Sequence, residues 1–429
     1  PAHSTDMNVF FAKLRHLATD TALRTRLLYV LGGLFLFRAL SAAPAPGIDA
    51  LRLSEFLAQN QLLGFFNVFS GGGLANLSLV MLGVSPYITA SITMQLLTVM
   101  SPRLKALHAE EGETGRHTFT QYTRLLSLPL AVIQGFGFLT LLSNQGVITG
   151  LSTFAFITTL VVIAAGSTLL MWLGELLTEF GIGNGVSLII FAGIVAGLPQ
   201  AAGQLLFTFD RAELPLYLGF LIAALAVVYG VVVMTEAERP IPVTHARQVR
   251  AGRVYGGVST FLPLRLNHAG VIPIIFAGSV LLFPQMILSA LSSVDSAFIS
   301  RASEWVLAFL SSQLLYGVAY FALVFLFTYF YTAVTFEPDT IAKNLQRGGA
   351  FIPGVRPGDR TAEYLGAVIA RLTLAGALGL GAVAILPLIM QAATGIATLA
   401  LGGTALLIVV SVALEFIRRV DSQLSLREY

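Results

Sequence analysis

The sequence contains no cysteine. Disulfide bonds, thiolate metal sites and cysteine nucleophiles are therefore excluded. Charged residues are scarce as well: they make up 11% of the chain, against about 25% in ordinary soluble domains. Hydrophobic residues make up 56%. A soluble globular protein does not have this composition, which is typical of a protein that crosses a membrane several times.

Acidic residues are also missing from mid-bilayer depth. The ionisable residues inside the predicted membrane spans are Arg38, Glu175, Arg371 and Glu415, and each lies within a turn or two of a predicted interface. Snorkelling or pairing at the interface accounts for each of them. A proton- or cation-coupled transporter normally needs carboxylates deeper in the bilayer, so the sequence disfavours that class.

Motifs of hydrolytic enzymes and metal sites are missing too. The segment HAEEG at 108–112 lacks the second histidine of a zinc-protease motif. No serine occupies a G-x-S-x-G elbow, and the six histidines show no ligand spacing. We therefore expect no enzymatic activity, no metal and no cofactor. The segment GIGNG at 181–185 predicts a tight turn between two spans rather than a phosphate-binding loop.

What is present is a series of ten hydrophobic segments suited to a bilayer core about 30 Å thick. They are predicted at about 25–43, 78–98, 121–143, 153–178, 186–206, 215–234, 269–291, 305–335, 365–389 and 396–417. Residues 1–22 predict an amphipathic helix at the membrane surface. The predicted fold class is an all-α polytopic membrane protein with ten transmembrane helices.

Basic residues are distributed unequally between the two sides of this predicted fold. Twenty of the 25 lie in the termini and in the loops on the same side, whereas only Arg52, Arg211 and Arg301 lie on the other. The positive-inside rule places both termini in the cytoplasm. Ten spans divide into halves of five, 23–209 and 210–429, which must be inverted relative to each other if they share a fold.

The stretch from 65 to 97 is too long for one straight span, because 33 helical residues would extend roughly 50 Å. Three consecutive glycines, Gly71, Gly72 and Gly73, supply a break. We expect a short apolar segment that enters the membrane and stops, followed by a full span. Irregular backbone at membrane depth is tolerated only when it is buried in protein or lines a cavity. The stretch therefore predicts a cavity.

Two long loops, 235–268 and 336–364, are rich in arginine, proline and glycine. Loops beyond about 12–15 residues are usually functional or disordered. The alternation around Val254, Val258 and Phe261 indicates a short hairpin in the first of them. Arginine-rich loops suit an RNA phosphate backbone or an acidic protein surface. The alternative is that these arginines only fix the topology, and composition does not separate the two interpretations.

Six segments, spread over nearly the whole chain, give it a specific resemblance to a known family. They are FNVFSGGGLANLS (66–78), GVSPYITASITMQLL (83–97), EFGIGNGVSLIIFAGIVAGLP (179–199), NHAGVIPIIFAGSVLLFP (267–284), AFIPGVRPGDRTAEYL (350–365) and GGTALLIVVSVALEF (402–416). Taken together, in their order along the chain and with their positions on the predicted spans, they resemble the SecY family, the channel subunits of the bacterial protein-conducting translocon. The resemblance implies two pseudo-symmetric five-helix halves arranged as a clamshell, with a pore between them.

The resemblance also implies the positions of functional residues. A ring of apolar side chains that narrows the pore maps onto Val84, Ile88, Ile92, Val186, Ile190, Ile275 and Ile408. A re-entrant plug helix maps onto residues 64–76, with plug and hinge residues Phe66, Asn67, Phe69, Ser70, Gly71, Gly72 and Gly73. A gate that opens toward lipid, between spans two and three on one side and seven and eight on the other, maps onto Thr89, Gln134, Asn267 and Phe283.

The docking residues implied for a motor or ribosome are Arg239, Arg247, Arg250 and Arg356. The implied function is passage of unfolded preproteins across, and lateral release of helices into, the bacterial cytoplasmic membrane. The implied partners are the small subunits SecE and SecG, the SecA ATPase, the ribosome with contact to its RNA, signal peptides and preproteins, and membrane lipid. The alternative class is a secondary transporter for small solutes, which mid-bilayer carboxylates and a second broken helix would favour.

Overall fold

The computed structural model describes residues 20–44, 74, 78–109, 112–144, 152–207, 214–245, 248–250, 253–255, 259–268, 270, 272–291, 297–394 and 397–425. Most of the predicted N-terminal helix (1–22), the predicted plug apart from Leu74, and Arg247 lie outside these residues. The expected boundary between the halves, at 209/210, also lies outside them.

Thirteen helices are defined within the described residues. They are α1 (Thr21–Ala42), α2 (Ser85–Met100), α3 (Pro102–Ala109), α4 (Gly112–Asn144), α5 (Thr153–Phe180), α6 (Gly185–Phe207), α7 (Leu214–Glu236), α8 (Ile272–Leu291), α9 (Ala297–Ser311), α10 (Gln313–Thr335), α11 (Pro338–Arg347), α12 (Asp359–Thr394) and α13 (Ala397–Ser425). Six helices in the described part of the chain are long and apolar enough to cross a membrane. All ten predicted segments coincide with helices.

Several of these segments differ from the prediction in extent, two of them for reasons that are visible in the backbone. The helix of the second begins at Ser85 rather than near residue 78, because residues 79–84 form turns, Gly83 has φ +57° and Pro86 lies in the first helical turn. Pro86 has no backbone N–H and suits only the first turn of a helix. The eighth segment, 305–335, is two helices that meet at Ser312, whose backbone is extended.

Strands occur only between α7 and α12 in the described part of the chain. β1 (Glu238–His245) pairs antiparallel with β4 (Ser259–Arg265) and with β5 (Ala350–Phe351), in the order β4-β1-β5. β2 (Gln248–Arg250) and β3 (Arg253–Tyr255) form a two-stranded hairpin between β1 and β4. The expectation of a hairpin in the first long loop is thus confirmed. We call β1, β4, β5 and α11 the platform.

Two hydrophobic cores result from this arrangement. The larger core joins helices from both halves of the chain, from α1 to α13. The smaller core lies under the platform sheet, where Ile241, Val243 and Leu264 pack with residues of α12 such as Leu365. The two halves meet where α8 contacts α2 and α4, and again where α13 contacts α6. The first of these contacts is called the seam below.

Candidate functional site

A cavity of about 740 Å³ lies between the two halves of the chain. Helices α2, α4, α5 and α6 of the first half and α8 and α10 of the second half line it. Apolar side chains, among them Ile88, Val186, Ile190 and Ile275, line it together with polar and charged residues. This cavity has an apolar part and a charged part. The segment expected to sit in a cavity, 64–76, lies outside the described residues apart from Leu74.

The apolar part includes residues of the predicted ring. Val84, Ile88, Ile92, Ile190, Ile275 and Ile408 are all buried in the larger core, and Val186 packs against that core. Val84 lies in the last turn before α2 and not on the helix itself, although its carbonyl oxygen accepts the first helical hydrogen bond, from Ile88 N at 3.0 Å. The structure thus brings side chains of α2, α6, α8 and α13 into one cluster.

The turn that precedes α2 is held tightly by α5. Ser167 Oγ donates a hydrogen bond of 2.9 Å to the carbonyl oxygen of Gly83. A side chain at Gly166 would collide with the carbonyl oxygen of Leu79, so the backbones approach closely there. On the other side, Leu79 N donates to Ala43 O at 3.0 Å. These contacts fix the start of α2 and with it the height of Val84 and Ile88.

The GIGNG turn positions the ring residues of α6. Asn184 Oδ1 accepts hydrogen bonds from Val186 N and Ser187 N, which caps the helix start. Thr178 Oγ1 accepts from Gly185 N at 2.8 Å, and Gly183 has φ +93°. The expectation of a tight turn between two spans is confirmed. It places Val186 one helical turn from Ile190 at the cavity.

The charged part of the cavity wall is centred on an ion pair. Arg124 Nε on α4 lies 2.8 Å from Glu175 Oε1 on α5, and their side chains are 41% and 15% exposed. Glu113, Arg116 and Glu179 also line the cavity and are exposed. The expected interfacial pairing of Glu175 is confirmed. Among the described residues no group of histidine, aspartate and glutamate side chains is suited to hold a metal.

Three of the predicted gate residues, Thr89, Gln134 and Phe283, lie on the helices that form the seam. Gln134 Nε2 on α4 donates a hydrogen bond of 3.2 Å to Thr89 Oγ1 on α2. Gln134 is buried, and its Oε1 has no hydrogen-bond donor among the described residues. Phe283 belongs to α8, which contacts both helices, but its side chain lies outside the described residues.

The described contacts of Asn267 are with the second half of the chain. It is buried just before α8, and its Nδ2 donates to Gly270 O at 3.0 Å. It lines a small cavity with Val231 of α7, Leu380 of α12 and Leu407 of α13, all in the second half of the chain. The assignment of Asn267 to the gate stays a prediction.

The predicted docking arginines lie on or beside the platform. Arg239 is exposed on β1, opposite Leu264. Arg356 is exposed in a turn that is fixed by its own backbone, because Thr361 Oγ1 donates to Arg356 O at 3.0 Å and Gly354 and Gly358 have φ +82° and +99°. Arg250 lies on β2, and its side chain lies outside the described residues.

One histidine beside the platform has a perturbed environment. His268 lies between β4 and α8, and its ring meets that of Phe336 edge-on at a centroid distance of 5.6 Å. Burial lowers the pKa of His268, and the nearby Arg265 guanidinium lowers it further. The neutral ring is therefore favoured where the platform joins the membrane helices.

Several cavity residues were missed by the sequence reasoning. Tyr87, Ser91 and Gln95 line the cavity from α2 at a spacing of four residues, which places them on one helix face. In the sequence, Arg124 is one of the twenty basic residues that lie on the side of the termini and contributes only to that asymmetry. The signal that could have found it is the run Arg116, Thr120 and Arg124, which recurs every four residues along α4. Polar residues that recur at helical spacing beside a ring position indicate a helix face that is in contact with water.

Comparison with known proteins bears on this site. A family model described as SecY matches residues 78–417. A protein translocase subunit SecY from Vibrio cholerae is 44% identical over 415 residues, which cover 95% of this chain and 93% of that one. A solved structure described as a protein-conducting channel has a TM-score of 0.66 at 21% identity and covers 93% of this chain and 92% of that one.

A second solved structure is that of Sec61 in a canine ribosome–channel complex from the endoplasmic reticulum. It has a TM-score of 0.63 at 19% identity, covering 93% of this chain and 92% of that one. These structures share the ten-helix clamshell, so the fold expected from the resemblance is confirmed. The family match extends across both halves of the chain and across the cavity between them. The chain belongs to the SecY family of protein-conducting channel subunits.

Proposed function

We propose that the cavity is the entrance to the protein-conducting path and that the ring residues form its constriction. The observation that carries this proposal is the convergence of ring residues from both halves in one cluster at the edge of a charged cavity. Exposed charges such as Glu113 and Arg116 mark the side on which water enters. An unfolded chain entering there meets only aliphatic side chains at the narrowest point.

An aliphatic ring suits this task because it offers no ligand to an ion. A hydrophobic constriction blocks ions by dewetting. A polypeptide in extended form can pass such a ring, since branched aliphatic side chains contact any sequence without specific hydrogen bonds. Leu74, at the end of the proposed plug (64–76), is fully buried in the same cluster as Ile88. This supports a plug that seals the ring, with Gly71–Gly73 as its hinge.

The proposed exit toward lipid is the seam. Polar contacts between helices in membranes contribute only about 0.6–1.7 kcal/mol each. The Thr89–Gln134 hydrogen bond holds α2 to α4 on one side of the seam, and α8 faces them from the second half. At this magnitude even the bond that joins α2 to α4 gives way at low cost when an apolar helix intercalates. We retain Thr89, Gln134 and Phe283 as gate residues, whereas the surroundings of Asn267 favour a structural role.

The platform is the proposed docking surface for a cytoplasmic motor of the SecA type or for the ribosome, including its RNA. Arg356 supports this, because a fixed turn presents its exposed side chain. Arg239, Arg247 and Arg250 would extend the basic surface along the β1–β2 loop. The cytoplasmic position of the platform and both termini rests on the distribution of basic residues.

A partner helix has a natural place at the second contact between the halves, where α13 meets α6. A groove of about 300 Å³, lined entirely by apolar side chains, lies between α1 and α6 of the first half and α13 of the second. A helix in this groove would contact both halves, 23–209 and 210–429, and brace them. We propose SecE for this position, SecG as a further small subunit, and the bacterial cytoplasmic membrane as the location.

Disulfide trapping tests the path. The chain has no cysteine, so single cysteines at Ile88, Ile190 or Ile275 can be combined with a preprotein that carries one cysteine and a folded C-terminal block. We expect all three positions to trap the stalled preprotein in proteoliposomes. The matched control is a cysteine at Phe154, which is 81% exposed on α5. Trapping at Phe154 but not at the ring would contradict the proposal.

A further inference from the structure

The ion pair in the cavity wall has no assigned role in the passage of a polypeptide. Arg124 and Glu175 are both less exposed than the other charged residues of the wall, Glu113, Arg116 and Glu179. The pair also lies close to the ring. Gly174, the residue before Glu175, packs against Val186: a methyl group at Gly174 would lie 3.0 Å from Val186 Cγ2. The pair is thus the charged site that a polypeptide in transit, called the passenger below, meets next to the constriction.

Because the pair lies beside the ring, its net charge affects how strongly charged segments of the passenger are held there. Charges interact more strongly where protein replaces part of the surrounding water, whereas exposed charges are screened by salt. An unpaired carboxylate beside the ring would attract arginine and lysine of the passenger, and an unpaired guanidinium would attract aspartate and glutamate. Paired at 2.8 Å, the two groups present no net charge.

We propose that the Arg124–Glu175 pair determines the charge tolerance of the passage by neutralising the wall beside the ring. Passenger segments of either sign then cross the constriction without being held. This inference rests on the proposed function of the cavity as the entrance of the path. It concerns selectivity among passengers, which the aliphatic ring by itself does not govern, because aliphatic side chains do not distinguish positive from negative charge.

A purely structural role is the competing explanation. The pair joins α4 to α5, so removing it could loosen the wall for every passenger alike. The two explanations differ in one measurable respect. If the pair neutralises the wall, the variant that lacks Arg124 and the variant that lacks Glu175 should affect positively and negatively charged passengers in opposite ways. If the pair only joins the two helices, each variant should affect all passengers equally.

The test uses three preproteins that differ in one inserted block of four serines, four arginines or four aspartates. Initial transport rates are measured in proteoliposomes with the membrane potential collapsed, because a potential acts on passenger charge directly. The variants are Arg124→Gln, Glu175→Gln and the exchange Arg124→Glu with Glu175→Arg. The matched control is Arg116→Gln, an exposed cavity charge two turns away on α4.

Arg124→Gln should slow the arginine preprotein relative to the serine preprotein by roughly two- to fivefold, the factor expected for a partly exposed ion pair. The aspartate preprotein should not show this delay. Glu175→Gln should show the reverse pattern, and the exchange and Arg116→Gln should keep wild-type ratios. Equal slowing of all three preproteins, or unchanged ratios in both single variants, overturns the inference. Failure of the wild-type chain to move even the serine preprotein would instead overturn the proposed function, and this inference with it.

Discussion

The two hydrophobic cores of the molecule are built on different principles. In the platform core, strand residues such as Ile241 and Val243 pack against Leu365 of α12 beside solvent. The hydrophobic effect drives this packing. In the larger core, helices such as α5 and α6 lie in the membrane, where lipid is as apolar as their side chains. Helix association there depends on close packing and on polar contacts.

The difference is visible in where polar groups occur. Buried hydroxyls are frequent along the membrane helices: those of Thr328 and Thr332 donate to carbonyl oxygens four residues earlier on α10, at 2.7 and 2.8 Å. Ser167 donates to a neighbouring segment instead, at Gly83. A polar residue is therefore tolerated in the membrane core when it finds a partner or water. The platform core is smaller, and Ile241, Val243 and Leu264 of its sheet are only 2–3% exposed.

The largest expected effect comes from a charge in the platform core. Ile241→Asp places a carboxylate at a position that is 2% exposed on the central strand β1. Loss of apolar burial and of carboxylate hydration should cost on the order of 4 kcal/mol. We expect the platform to unfold locally and motor-driven transport to stop while the helices remain inserted.

Limited proteolysis of the loop 235–268 measures the local unfolding, and carbonate extraction measures whether the helices remain inserted. The matched control is Phe261→Asp on β4 of the same sheet, where the side chain is 64% exposed. A change within about 0.5 kcal/mol is expected there. Equal protease sensitivity of both variants would show that burial in the platform does not set the cost.

An isoleucine-to-aspartate substitution in the ring should lower stability less than Ile241→Asp does, but it should increase ion leakage through the constriction more. Ile190→Asp lies at the cavity, so water can hydrate the new carboxylate. We expect an inserted, folded protein in which the wetted constriction conducts ions several-fold faster, measured as ion flux from proteoliposomes without a preprotein. The control is Ile194→Asp, one turn further along α6 and not on the cavity wall. It should lower stability rather than raise ion flux; the opposite order would contradict the ring assignment.

The smallest expected effects are at the seam. Thr89→Val removes the acceptor of the Gln134 amide and should weaken the packing of α2 on α4, on one side of the seam, by about 0.6–1.7 kcal/mol. Gln134→Leu removes the same hydrogen bond but also the buried Oε1 that has no donor among the described residues, so it should weaken this packing less. The readout is the transport rate of a preprotein with a weakly apolar signal, which should change more for Thr89→Val than for Gln134→Leu.

The matched control at the seam is Thr93→Val on the same helix. The Thr93 hydroxyl donates to Thr89 O on its own helix, at 2.8 Å. Its loss should therefore leave the rate close to that of the wild-type chain. If Thr89→Val and Thr93→Val have equal effects, the hydrogen bond between α2 and α4 does not hold the seam.

The sequence by itself determined the membrane class, the number of hydrophobic segments and the turn at 181–185, because these depend on local composition and on the thickness of a bilayer. It also predicted that the break at Gly71–Gly73 requires a cavity. The start of α2 at Ser85 is a finer local effect, since Gly83 and Pro86 set it only within the contacts that α5 makes to the preceding turn.

Only the tertiary structure decided which side chains meet. Arg124 and Glu175 are 51 residues apart in the chain, and no local pattern distinguishes their pairing from two separate interfacial charges. Asn267 matched a gate position by resemblance, but its packing beside α7, α12 and α13 could not be read from the sequence. The sequence shows which residues share one face of a helix, because side chains repeat with a period of 3.6 residues. It does not show which helix that face packs against, because long-range packing depends on the shapes of all the helices together.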